Sequence, residues 1–295
     1  MSNRKLKIGL IQHACSPSAT SRQNLERACG LIREAAGLGA QIVVTQELFT
    51  THYFPQFEDE SRFDLAETVP GPTSEKLGDL AVELGIEIAA SIFERRTAGL
   101  YHNTAIMIGP DGIILGTYRK MHIPDDPRFF EKYYFTPGDT GWQTQQTRHA
   151  RTGLLVCWDQ WFPEAARLTT LRGAEILLYP TAIGWYDREI ESDRRQQKEA
   201  WKLIQRSHAI ANGVFVAAIN RVGTEGDLKF WGNSFVCDPG GEMIAEATET
   251  DEQVLIAECD LGRIEQIRRS WPFLRDRRID AYDSLTNRMS DGDAT

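Results

Sequence analysis

Apolar and polar positions along this chain alternate between two periods. Residues 6–12 (Leu-Lys-Ile-Gly-Leu-Ile-Gln) form a short apolar run and predict a first strand. From Ser21 to Leu38 the apolar positions Leu25, Ala28, Leu31, Ile32 and Ala35 share one face at helical spacing, which predicts a helix. Ala40 to Thr45 returns as a short strand ending at Gln46-Glu47. Pro72 to Leu84 reads as a helix with proline at its start and Gly85 at its end, followed by a strand from Ile86 to Phe93. Thr104 to Ile108 and Ile113 to Tyr118, joined by Pro110-Asp111-Gly112, predict an antiparallel hairpin.

The second half repeats this pattern. Leu154 to Val156 predicts a buried strand that ends at Cys157. A helix from Pro163 to Arg172, a strand from Glu175 to Tyr179, a helix from Asp193 to Ala211 and a strand from Val214 to Ile219 follow. A second hairpin, Asn233 to Cys237 and Glu242 to Ala247, begins at an Asn as the first does at Asn103. A last strand covers residues 253–259 and a short helix runs from Leu261 to Arg269. Two similar halves, each with helices covering a mixed sheet, are therefore expected. No linker separates them, so one domain over residues 1–295 is expected, with a polar, loose tail from about residue 283. The charged run Asp187 to Glu199 reads as a solvated helix face, or alternatively as a flap over a pocket.

Composition narrows the function classes. Hydrophobic content of 41% with 25% charged residues fits a soluble globular protein, and a net charge of −9 argues against a nucleic-acid binder. No apolar run is long enough to span a bilayer, and the N-terminus lacks the apolar stretch of a signal peptide. The five cysteines are odd in number and scattered, which suggests free thiols in a reducing cytoplasm. The six histidines show no metal-ligand spacing and no phosphate-binding glycine loop appears, so neither a metal nor a cofactor is expected.

Three reactive side chains fall at predicted strand ends: Glu47, Lys120 and Cys157. Strand ends of α/β sheets commonly open onto the site. A thiol between a strand and a helix can be exposed and firmly aimed, and a nearby helix N-terminus would favour its thiolate. Each residue has a plainer reading: a buried packing cysteine, a loop-capping glutamate, a solvated lysine. As a set they match acyl transfer through a thioester. The carboxylate takes the thiol proton and later activates water, and the ammonium stabilises the oxyanion.

The blocks Gln46-Glu47-Leu48-Phe49, Tyr118-Arg119-Lys120-Met121-His122-Ile123-Pro124 and Cys157-Trp158-Asp159-Gln160-Trp161-Phe162-Pro163-Glu164 resemble, in order, the three motif blocks of the nitrilase superfamily of carbon–nitrogen hydrolases. The resemblance runs from residue 5 to about residue 283. It implies a four-layer α-β-β-α sandwich of two mixed sheets and a triad of Glu47 as general base, Lys120 as oxyanion stabiliser and Cys157 as nucleophile. It also implies a second glutamate, Glu131, orienting Lys120 and the substrate nitrogen, and an oligomer built from dimers. The helix after Pro163 and the segment Trp271 to Arg278 are the expected dimer contacts.

Within the superfamily, Glu131–Asp139, Cys157–Arg167 and Tyr179–Gly184 are similar to the subgroup that cleaves N-carbamoylputrescine to putrescine, carbon dioxide and ammonia. Asp125–Phe130 and Trp185-Tyr186-Asp187 depart from that subgroup, where a substrate tail would be gripped. A β-ureidopropionase-like, aliphatic amidase or ω-amidase activity, or an inactive scaffold, are the alternatives. The strand-end loops offer acids and aromatics, which suit an alkyl chain ending in an ammonium, although Arg128 in the same loop would pull the other way. The expected substrate contacts are Tyr53, Trp158, Phe129, Asp125 and Ala182.

Overall fold

Two six-stranded mixed sheets carry the fold in the computed structural model, which describes residues 4–16 and 18–289. The first half supplies β1 (Lys5–Gln12), β2 (Ile42–Thr45), β3 (Glu87–Thr97), β4 (Leu100–Ile108) and β5 (Ile114–Arg119). The second supplies β6 (Thr144–Gln146), β7 (Arg151–Leu154), β8 (Ile176–Pro180), β9 (Gly184–Tyr186), β10 (Phe215–Ile219), β11 (Val222–Glu225), β12 (Leu228–Trp231), β13 (Phe235–Cys237), β14 (Met243–Glu246) and β15 (Gln253–Asp260). The helices are α1 (Ser21–Gly37), α2 (Pro72–Leu84), α3 (Pro163–Leu171), α4 (Glu191–Asn212) and α5 (Gly262–Ser270).

The strand order is β15-β1-β2-β3-β4-β5 in one sheet and β14-β13-β10-β8-β7-β6 in the other. Each sheet has three parallel central strands, joined through helices, and an antiparallel pair beyond them. Thus β1-α1-β2-α2-β3-β4-β5 and β7-α3-β8-α4-β10-β13-β14 follow one plan, and the paired hairpins read from the sequence occupy equivalent edges.

Both faces of each sheet are covered, which explains why the central strands read as nearly continuous apolar runs. Leu6, Ile8, Leu10, Ile42 and Val44 share a core with Leu154, Ile176, Leu178 and Ala217, between the sheets. The alternate residues Ile11, Val43, Ile88 and Ile106 meet Leu25, Ile32, Leu77 and Leu80 of α1 and α2. The result is the four-layer α-β-β-α sandwich. Helix ends follow local chemistry. Thr20 and Gln23 form a capping box at α1, and Gly85 ends α2 at φ 67°, a left-handed conformation that costs glycine little.

The structure departs from the sequence expectation in several places, among them the edge strand β6, which was not expected, and β4, which begins at Leu100 instead of Thr104. The run Leu154–Val156 is strand only up to Leu154. The Leu155 N–H still donates to the Leu178 carbonyl at 3.0 Å, but the Val156 N–H turns to Asp159 Oδ2 at 2.9 Å. α4 begins at Glu191, two residues early. A small third sheet of β11, β12 and β9 was not expected, because its short strands carry no alternating pattern. Of the tail, residues 283–289 are exposed with a 3-10 turn at Asp283–Thr286, and residues 290–295 lie outside the described residues. Among the described residues no helix is long and apolar enough to cross a membrane.

β9 crosses so close to β12 that a Cβ on Gly184 would sit 2.5 Å from the Lys229 carbonyl oxygen. Gly184→Ala should therefore lower the unfolding free energy by about 1–3 kcal/mol, read as a shift of the denaturant midpoint. An unchanged midpoint would show that the crossing yields freely.

Candidate active site

The turn after β7 places Cys157. Its φ of +39° is left-handed, a strained conformation for a side chain with a Cβ. Cys157 opens a 3-10 turn, Cys157–Trp161, and α3 starts only at Pro163. Asp159 holds this turn. Its Oδ2 accepts from the Val156 N–H and, at 2.8 Å, from the Tyr118 hydroxyl. Its Oδ1 accepts from the His122 N–H at 3.1 Å and lies 2.8 Å from His122 Nδ1. The Cys157 turn is thus tied to the chain on both sides of Lys120. The Cys157 Sγ lies 3.8 Å from the Ala182 carbonyl oxygen.

Glu47, Lys120 and Glu131 meet beside this turn, all without exposed surface. The Lys120 ammonium donates to Glu47 Oε1 at 2.8 Å and to Glu131 Oε2 at 2.6 Å. Asn103 Nδ2 also donates to Glu47 Oε1, at 2.7 Å, while the Ser91 hydroxyl donates to Asn103 Oδ1 at 2.9 Å. Glu47 Oε2 is buried without a hydrogen-bond partner among the described residues, which leaves it open to accept a proton. The Tyr53 hydroxyl donates to Glu131 Oε1 at 2.7 Å.

Burial alone would discharge Lys120, but the carboxylates of Glu131 and Glu47 outweigh it and raise its pKa, so it stays an ammonium. Burial pushes the Glu131 carboxyl up to about 7 against the pull of Lys120. Burial also raises the Cys157 thiol well above its ordinary value. The Glu47 charge adds to this and Lys120 opposes it. The expectation of an exposed thiolate favoured by a helix N-terminus is therefore corrected. The thiol is 4% exposed, rests protonated, and precedes α3 by a full 3-10 turn.

Cys157 lies on the wall of a cavity of about 650 Å³. Trp158, Phe129 and Ala182 line it, as expected from the sequence. Two expected contacts do not. Tyr53 is fully buried with its hydroxyl committed to Glu131, and Asp125 is exposed outside the cavity while its neighbour Asp126 lines it. Consecutive residues of an extended loop point opposite ways, so a one-residue error exchanges the two. Arg128 is also absent from the wall. It pairs with Asp227 and lies against the Phe57 ring, 4.8 Å from its centroid. The charged run contributes Glu189, Asp193, Gln196 and Gln197 to the cavity. Asn103 and Asp159 had no assigned role in the sequence reading, although Asn103 opens the first hairpin and Asp159 lies in the cysteine block.

The pattern of the carbon–nitrogen hydrolase family matches residues 7–269. The N-carbamoylputrescine amidase of Solanum lycopersicum is 43% identical, over 96% of this chain and 95% of that protein. The citrullinase of Francisella tularensis is 40% identical, over 96% of this chain and 99% of that protein. A crystal structure of a carbon–nitrogen hydrolase from Helicobacter pylori G27 superposes with a TM-score of 0.93 at 44% identity, covering 97% of this chain and 99% of that one.

The raised thiol pKa sets a pH signature. Alkylation of Cys157 by uncharged iodoacetamide, followed by peptide mass spectrometry, should rise about tenfold per pH unit from neutrality to pH 9. A rate already level at pH 7 would mean that the thiolate is the resting form.

Proposed function

The chain belongs to the carbon–nitrogen hydrolase (nitrilase) family, and within it we propose hydrolysis of the ureido C–N bond of an N-carbamoyl amine with a cationic tail, N-carbamoylputrescine best of all. In the proposed reaction Glu47 Oε2 takes the Cys157 proton as the sulfur attacks the ureido carbon, so charge is created only as the bond forms. The Lys120 ammonium and the Trp158 N–H hold the oxyanion. Ammonia leaves with a proton returned by Glu47, giving a carbamoyl thioester. Glu47 then activates a water that releases the thiol, and the carbamate loses carbon dioxide to free the amine. Glu131 keeps Lys120 charged and aimed, with Tyr53 fixing Glu131 in turn.

The charge of the cavity wall carries the substrate reading. Among the described residues its charged side chains are Asp126, Glu189 and Asp193, with no lysine or arginine. Glu189 Oε2 is buried without a hydrogen-bond partner. The walls between are aromatic: Phe129, Trp158, Trp161, Tyr186 and Trp231. Such a lining suits a methylene chain ending in an ammonium. Citrulline is the second reading, favoured by the likeness to a citrullinase. Its ammonium would fit this wall, but its carboxylate would find no cation there. Substrates of ω-amidase or β-ureidopropionase type meet the same obstacle.

We also propose that a second copy of the chain covers the face where Leu168, Leu171, Leu203, Trp271 and Phe273 stand exposed, making a dimer that light scattering would detect.

N-carbamoylputrescine, citrulline, N-carbamoyl-β-alanine and a simple aliphatic amide should be assayed side by side. Putrescine and ammonia should form in equal amounts, at the highest kcat/KM of the set, and preference for a carboxylate-bearing substrate would overturn the tail assignment. Cys157→Ala should abolish turnover while keeping the fold. Asp126→Asn combined with Glu189→Gln should raise KM for the cationic substrate about 3- to 30-fold and leave the simple amide unaffected.

A further inference from the structure

A second buried ion pair lies behind the candidate site, outside the reaction proposed above. Arg221, directly after β10, has no exposed surface, and Glu225 at the end of β11 is 1% exposed. Arg221 Nη1 donates to Glu225 Oε1 at 2.8 Å. An ion pair so deeply buried is costly unless its remaining donors and acceptors are used; Arg221 Nε has no hydrogen-bond partner among the described residues, and the groups using the others all lie in residues 47–53. Arg221 Nη2 donates to the Glu47 carbonyl at 2.7 Å and to the Leu48 carbonyl at 3.1 Å, and Nη1 to the Thr51 carbonyl at 3.3 Å. At the other end of the segment, Glu225 Oε2 accepts from the Tyr53 N–H at 2.5 Å. The Arg221 guanidinium also stands 5.8 Å from the Tyr53 ring centroid and 5.2 Å from that of Phe230.

The two ends so gripped are the residues that carry or fix both carboxylates on Lys120. Glu47 is one of those carboxylates, and the Tyr53 hydroxyl holds the other, Glu131. Between them Leu48 adopts φ +49°, a left-handed conformation unfavourable for leucine, so surrounding bonds must impose it. Its N–H donates to the Ser91 hydroxyl at 3.2 Å and its carbonyl accepts from Arg221. The preceding Asn220 ties this frame to the cavity: its Oδ1 accepts from the Ile183 N–H at 3.0 Å and its Nδ2 donates to the Ile183 carbonyl at 2.9 Å.

We propose that Arg221 and Glu225 are positioning residues, a buried pair that sets the spacing of the Glu47 and Glu131 carboxylates about the Lys120 ammonium. The pair touches neither substrate nor thiol and acts through the backbone of residues 47–53. Its loss should therefore slow the chemical steps more than it weakens binding. This proposal rests on the catalytic reading of Glu47, Lys120, Glu131 and Cys157.

The test compares Glu225→Gln, Arg221→Lys and the double variant in the full chain, on the best substrate found for the wild type. Glu225→Gln keeps the shape of the side chain and removes its charge. Each single variant should lower kcat about 10- to 100-fold with KM within about threefold. Because the pair acts as one unit, the double variant should lie within about threefold of the worse single variant. A kcat unchanged in Glu225→Gln, with only the unfolding midpoint lowered, would overturn the proposal, as would losses that multiply in the double variant. Should Arg221→Lys fail to fold, kcat and KM of Glu225→Gln decide alone. Cys157→Ala assayed in parallel separates the two readings. Turnover surviving there unseats the catalytic reading, whereas complete loss there with normal Glu225→Gln kinetics unseats only the role of the pair.

Discussion

A lysine ammonium held away from water between two carboxylates is the constraint around which the rest of this molecule is arranged. Lys120, Glu47 and Glu131 have no exposed surface, and three buried charges persist only while their partners are fixed. The Asn103 amide and the Tyr53 hydroxyl complete the two carboxylates. One oxygen, Glu47 Oε2, is left over. An acceptor stranded among satisfied neighbours is what a proton transfer needs, and it stands beside a thiol kept protonated by burial and by that same negative charge. Electrostatics that oppose a resting thiolate agree with the reaction proposed, in which Glu47 removes the proton only as the carbon is attacked.

The sandwich delivers these groups by repeating one plan. Glu47 comes two residues after β2, Lys120 directly after β5, and Cys157 three residues after β7. Where each chain leaves its sheet, side chains replace the lost ladder bonds: Asp159 receives the Val156 N–H, and Ser91 receives the Leu48 N–H. Left-handed backbone at Leu48 and at Cys157 marks the two sharpest departures. Both lie beside or within the reacting set, where surrounding hydrogen bonds are dense enough to impose strain.

What the sequence made legible follows from the range of the forces involved. Two halves of helix-covered sheet were readable because each central strand is buried on both faces and each helix carries an apolar stripe, whereas their stacking into a four-layer sandwich was implied by the resemblance to the nitrilase superfamily. Glu47, Lys120 and Cys157 stood out in the sequence because each follows a predicted strand, and the structure places Glu47 and Lys120 in hydrogen-bond contact beside the Cys157 turn. Tyr53 was read as a substrate contact because it lies near Glu47 in sequence, whereas its hydroxyl reaches across the fold to Glu131. Asp125 was chosen over Asp126 because a loop without periodicity gives no facing. The pair Arg221–Glu225 left no trace: a charged residue four positions from another looks like surface until β11 and β12 fold over it.

α4 serves two purposes along its length. Asp193, Gln196, Gln197 and Ala200 face the cavity, whereas Trp201 and Gln205 bond the Gln160 side-chain oxygen at 2.7 and 3.0 Å and His208 its backbone oxygen at 2.8 Å. Gln160 belongs to the Cys157 turn, so the helix holds that turn with its later turns and lines the cavity with its earlier ones. Its first two turns are thus an exchangeable cassette. Substitutions there would reshape the cavity wall while the bonds that hold the turn carrying Cys157 stay in place.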